Sequence, residues 1–177
     1  NEILEAGILK HWVFFNYSSM NLDLIPVIVA NLTYSVVEYD YKFCKYRSTE
    51  KHKQIEDTEC DCSNNIHGKM ISAFMFGAEN IFWMSEKQKD FYFTKFPFLE
   101  QKNNIVLSSA FSNQTLDILK NVRENSNNRS DKWLILGSTS WIKGVEFTKK
   151  YLDQKNIEYE VCWNVSHSEL IQKLGNY

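Results

Sequence analysis

Short apolar runs and helical periodicities take turns along this chain. His11 to Phe15 is a run with strand character, and Tyr34 to Tyr39 is a second, rich in the β-branched and aromatic residues that suit a pleated surface. Between them, Asn21 to Leu32 has the spacing of a helix, with Asp23 as its expected N-cap and Pro26 in the first turn, where a missing N–H does no harm. Gly68 to Ala78 predicts a buried helix and Asn80 to Met84 a strand. Glu86 to Phe93 predicts a helix that must end before Pro97, and Asn104 to Ser108 another strand. Ser112 is the expected N-cap of the next helix: Phe111 and Leu116 stand at hydrophobic-staple spacing, and Leu116, Leu119 and Val122 form its apolar stripe. After an Asn/Ser-rich loop from Glu124 to Asp131, Trp133 to Leu136 is a strand and Val145 to Gln154 a helix. Ile157, Tyr159, Val161 and Trp163 alternate with Glu158, Glu160 and Cys162, a strand with one wetter face. Ser166 and Glu169 form a capping box ahead of Leu170, Ile171 and Leu174.

Strands separated by helices imply βαβ units, so the expected class is α/β with mainly parallel, Rossmann-like sheets flanked by helices. A boundary is expected near Phe111, dividing residues 1–111 from residues 112–177, and the second part is small for an independent core. The polar stretch from about residue 40 to residue 65 interrupts the alternation and reads as an insertion. It holds Cys44, Cys60 and Cys62 together with His52.

Composition narrows the classes. The 177 residues carry a formal net charge of −2, and the isoelectric point near 6.1 argues against a dedicated nucleic-acid binder, which would present a basic face. No run reaches the ~18 uninterrupted apolar residues of a membrane span; Leu22 to Leu32 is short and holds Asp23 and Asn31. No signal-peptide pattern is present, which makes the expected location cytoplasmic and leaves the Asn16 and Asn128 glycosylation matches as chance. Of the histidines, His11, His52, His67 and His167 cannot be paired with an acid from sequence, and no catalytic residue is assignable.

Two groups of residues could carry chemistry. Cys44, His52, Cys60 and Cys62 are four candidate zinc ligands within 19 positions, although Cys60-x-Cys62 departs from the usual pair spacing and His67 competes for the fourth position. A disulfide from Cys44 to Cys60 or Cys62, or free thiols, would account for the same residues. Cys162 lies in a strand pattern and is expected to be a packed thiol. The second group is the loop of Gly137, Ser138, Lys143 and Gly144, between a strand and a helix. Such a turn brings backbone N–H groups to the carboxyl end of a sheet, where anions bind; an ordinary βα loop with a solvated lysine would look the same.

The order of strand, Gly137, loop, Lys143-Gly144 and helix resembles the opening of the donor domain in retaining glycosyltransferases built from two Rossmann-like domains (the GT-B type, group 1 family). Ile81 to Gln88 is similar to that family's strand and S-E-x-Q helix start. Ile105 to Phe111 is similar to the strand and turn between its domains, and Ser166 to Tyr177 to the helix after the donor domain's second strand. The resemblance covers about Lys69 to Tyr177. It implies transfer of a sugar from a nucleotide-diphosphate donor to an unidentified acceptor without an obligatory metal. Gly137, Ser138, Lys143 and Gly144 would then contact the donor diphosphate.

The family often carries an Arg ahead of the Lys-Gly pair, where this chain has Ser138 to Trp141. The resemblance also puts the acceptor loop ahead of Asn1 and the sugar-binding glutamates beyond Tyr177. Residues 1–177 alone are therefore expected to lack transferase activity, and either to self-associate or to pack the second half onto the first. The alternative expectation is a non-enzymatic interaction module with a zinc-stabilised Cys/His insertion.

Overall fold

The computed structural model describes residues 5, 7, 9–107, 112–125 and 129–177. The expected turn over Ser108 to Phe111, the Phe111 staple and the Asn128 sequon lie outside the described residues. The chain forms two compact units, residues 1–110 and 111–177. No helix among the described residues is long and apolar enough to cross a membrane.

In the first unit β1 (His11–Phe14), β2 (Thr33–Glu38), β3 (Asn80–Trp83) and β4 (Asn103–Val106) lie side by side in chain order, each pair parallel. Every crossover thus steps the same way across the sheet, and right-handed crossovers that do so put their helices on one face. The packing agrees. α1 (Leu24–Asn31), from the first crossover, touches α3 (Ile66–Gly77), from the second, and α3 touches the 3-10 turn Pro97–Gln101, from the third. This α/β arrangement is Rossmann-like, but among these four strands the order never reverses, so they form no switch-point crevice of their own.

The helix-facing side of the sheet carries the core. Tyr34, Val36, Ile81 and Trp83 are fully buried, and Tyr34 stacks on Phe74 with its hydroxyl donating to the Phe74 carbonyl at 2.6 Å. Each large side chain buried this way contributes about 1.5–3 kcal/mol. The helices start where small polar residues can cap them. Asn65 accepts from the Gly68 N–H, and Ser85 from the Gln88 N–H at the start of α4 (Glu86–Lys95). Asp23 precedes α1 but makes no side-chain cap bond. Its backbone is already helical (φ −64°, ψ −20°), which turns the carboxylate away from the first-turn N–H groups, and its own N–H is held by Asn21 at 3.0 Å.

Residues 40–65 do not stand apart from this core. Phe43 and Cys44 are buried in it with Cys60 and Cys62, Phe43 lying edge-on to Tyr92 and Phe96. The polar residues between them include α2 (Thr49–Glu56), capped by Ser48, whose one buried side chain is His52.

The second unit repeats the plan at smaller scale. β5 (Trp133–Leu136) and β6 (Tyr159–Cys162) pair in parallel, joined by α6 (Val145–Gln154). α5 (Asn113–Asn125) packs against α7 (His167–Leu174). Ser112 caps α5 through the Thr115 N–H, and Ser166 and Glu169 cap α7 reciprocally. The buried apolar cluster is Ile135, Val145 and Leu152, while Trp133, Leu136, Phe147 and Trp163 are exposed.

Candidate functional site

The loop after β5 opens at the carboxyl ends of β5 and β6, the end at which open α/β sheets bind ligands. A cavity of about 270 Å³ lies there, lined by Gly137, Ser138, Thr139, Val145, Glu146, Lys149, Val161 and Trp163. Gly137 lines the cavity with its N–H already engaged and its Cα closely packed. Its N–H donates to the Cys162 carbonyl at 2.7 Å, and a Cβ would stand 2.9 Å from that same oxygen. Ser138 Oγ accepts from the Ser140 N–H at 3.1 Å.

Lys143 and Gly144 form the turn into α6. The Lys143 N–H bonds Ser140 and the Gly144 N–H bonds Trp141. Gly144 is left-handed at φ 71°, and no side chain caps the helix it starts. The first α6 bond runs from Thr148 N–H to the Gly144 carbonyl, so the N–H groups of residues 145–147 have no partner within the helix. The cation that lines the cavity is Lys149, one turn into α6, rather than Lys143. Lys149 pairs with Glu146 at 2.8 Å, and that hydrogen bond raises its pKa. Two further concavities surround Lys132, Asn156 and Glu158, at the amino ends of the same strands.

The carboxyl end of β2 is built differently. Glu38 and Lys42 are fully buried and joined at 3.3 Å, and Glu38 also accepts from the Lys42 N–H and the Tyr17 hydroxyl. Burial pushes the Glu38 carboxyl up to about 7 against the opposing pull of Lys42. Lys42 reaches Asp40 at 3.1 Å and lies over the rings of Tyr17 and Tyr39. The second Asp40 oxygen accepts the Arg47 guanidinium. Gln88, in the S-E-x-Q segment, ties this loop to β3 by donating to the Asp40 carbonyl at 3.0 Å and accepting from the Met84 N–H at 2.9 Å. Glu38, Asp40, Lys42, Arg47 and Gln88 bond to one another, while the buried Tyr92 hydroxyl near Glu38 has no hydrogen-bond partner among the described residues.

The Cys/His group converges. Cys44, His52, Cys60 and Cys62 are all buried, and their ligand atoms lie within 4.8 Å of one another. His52 Nδ1 is 3.4 Å from Cys62 Sγ and 3.8 Å from Cys44 Sγ. All four cysteines are free, which excludes the disulfide alternative in this structure. Burial pushes the Cys60 thiol up to about 12. His67 is not a competitor: its Nε2 is engaged by the Lys42 carbonyl at 2.9 Å. A buried group able to hold a metal is therefore present, with Cys162 outside it, packed in β6.

One constellation was hidden from the sequence. His11 Nε2 lies 2.8 Å from Ser35 Oγ and its Nδ1 lies 3.5 Å from Glu79, the order of a Ser-His-acid triad. Ser35 is buried, however, and its oxygen accepts from Asn80 at 2.9 Å, so no substrate atom can reach it. The group bridges the amino ends of neighbouring strands. Comparison with protein-family models, curated proteins and solved structures yields no match.

Proposed function

We propose that this chain serves glycosyl transfer from a nucleotide-diphosphate sugar, with the second unit holding the donor diphosphate. The observation that carries this reading is the cavity at the carboxyl ends of β5 and β6, set over the uncapped start of α6 and lined by Lys149. Negative charge builds on the leaving diphosphate as the sugar departs. Helix N–H groups and a lysine fixed at that position would stabilise the leaving diphosphate, which gains negative charge as the glycosidic C–O bond breaks, more than the less charged diphosphate of the intact donor. Ser138 and Thr139 add hydroxyl donors on the same wall. Relative to the four residues expected from the sequence, Gly137 and Gly144 then shape the loop, and Lys149 joins Ser138 as a contact to the anion.

The resemblance to two-domain retaining glycosyltransferases and the parallel βα plan of both units support the same reading. The test is ligand binding by the 177-residue chain, using calorimetry and thermal shift with UDP, GDP, ADP and inorganic phosphate. One nucleoside diphosphate should bind and raise the melting temperature, with free phosphate far weaker. If no nucleoside diphosphate binds to cooperatively melting protein, the reading fails.

A further inference from the structure

We propose that Cys44, His52, Cys60 and Cys62 bind one structural zinc ion, and that this ion anchors residues 49–62 to the core of the first unit. The first argument is geometric. Zinc takes sulfur at about 2.3 Å and imidazole nitrogen at about 2.0–2.1 Å, so a tetrahedral site separates nitrogen from sulfur by about 3.6 Å and sulfur from sulfur by about 3.8 Å. The two nitrogen–sulfur distances in the structure, 3.4 and 3.8 Å, bracket that value. All four ligand atoms fall within 4.8 Å, so small side-chain rotations close the cage.

The second argument concerns what holds the segment down. Helix α2 has the sequence TEKHKQIE, and its one buried side chain is His52; Ile55, its one aliphatic residue, is exposed. From Asp57 to Asp61 the other residues are charged or hydroxylic, and Cys60 is the side chain that enters the core. Hydrophobic burial cannot anchor such a segment, and thiols are weak hydrogen-bond partners for a buried imidazole. A shared metal anchors both.

The backbone around the ligands is already fixed. Cys44 sits in a turn closed by its N–H to the Tyr41 carbonyl at 2.9 Å and by the Arg47 N–H to its own carbonyl at 2.8 Å. Ser48 caps the helix that presents His52. Cys62 lies against Gly68, where any Cβ would collide with the Cys62 carbonyl, so the first turn of α3 can approach only as glycine.

Three thiolates and one imidazole suit zinc rather than magnesium or calcium, which prefer oxygen. Four protein ligands leave no open position, so the ion organises the fold and takes no part in sugar transfer. Loading releases the three thiol protons as the three sulfur–metal bonds form.

The proposal is tested on the full chain purified under reducing conditions without chelator. Elemental analysis should give equimolar zinc, and cobalt exchange should give the intense visible bands and sulfur-to-metal charge transfer of a tetrahedral thiolate site. Chelation should expose residues 49–62 to protease ahead of the rest of the chain. His52→Ala and Cys62→Ser should abolish equimolar retention, while His67→Ala and Cys162→Ser should keep it. Cobalt spectra of the unmodified chain need no variant to fold. Metal-free protein whose reduced thiols give no tetrahedral cobalt spectrum overturns the proposal, as does equal metal loss from the Cys162→Ser control. Metal content and nucleotide binding are read separately, so either idea can fail alone.

Discussion

The loops that follow β2 and β5 occupy the same position in their βα units, yet they handle polar groups in opposite ways. After β2, Glu38, Asp40, Lys42 and Arg47 bond to one another, and Gln88 secures the loop to β3. After β5, the helix start has no capping side chain, and Lys149 faces a cavity. The first arrangement is closed; in the second, Lys149 is held by Glu146 at 2.8 Å and both line the cavity. A charged loop at the carboxyl end of a parallel strand is therefore not by itself a binding site. What distinguishes the two is that the Glu38–Lys42 pair is fully buried, whereas the Lys149–Glu146 pair lines an open cavity over a helix start without a side-chain cap.

The largest expected effect tests the closed loop. Above about pH 7, where Glu38 carries its charge, Lys42→Met leaves it buried without its cation, which should cost about 3–5 kcal/mol in urea unfolding of the first unit. A loss below about 1 kcal/mol would mean that the pair is as weakly coupled to folding as a surface ion pair. The next effect is a pH dependence. Because the Glu38 carboxyl is raised to about 7, the native protein keeps a proton that the unfolded chain gives up from about 4.5 upward. Its contribution is therefore fully present below about pH 4.5 and is lost as pH rises through about 7, a change of order 3 kcal/mol. Subtracting the stability profile of Glu38→Gln from that of the native chain isolates this term, and parallel profiles would refute it.

The smallest effect concerns the open loop. Lys149→Ala should weaken nucleoside diphosphate binding by about 1.5–3 kcal/mol, roughly ten- to hundredfold in Kd, without altering stability measurably. Lys143→Ala should weaken it less, since its side chain does not line the cavity. Equal losses in the two variants would move the anion toward the 3-10 turn Trp141–Lys143 and away from α6.

Local signals were sufficient for most elements. The strand runs, the Ser112 and Ser166 caps and the termination of α4 before Pro97 follow from periodicity and backbone chemistry over a few residues. So does the bounded helix from Val145 to Gln154. Local signals misled where a cap depends on backbone angle, as at Asp23. They also obscured the first turn of α3, because Ile66 and His67 continue a polar stretch in the sequence.

By itself, the sequence determined the α/β class, the positions of the chemistry-bearing residues and the set of cysteines and histidines that could meet. Only the tertiary structure decided which of them do. It brought His52 to three thiols across distant loop positions and assigned His67 to a carbonyl instead. It turned the Gly137 N–H into a ladder donor and exchanged Lys143 for Lys149 at the cavity wall. The reason is physical. Periodicity and capping are set by neighbours within a turn or two of chain, whereas ligand convergence, burial of a charge and satisfaction of an N–H depend on which distant segment packs alongside.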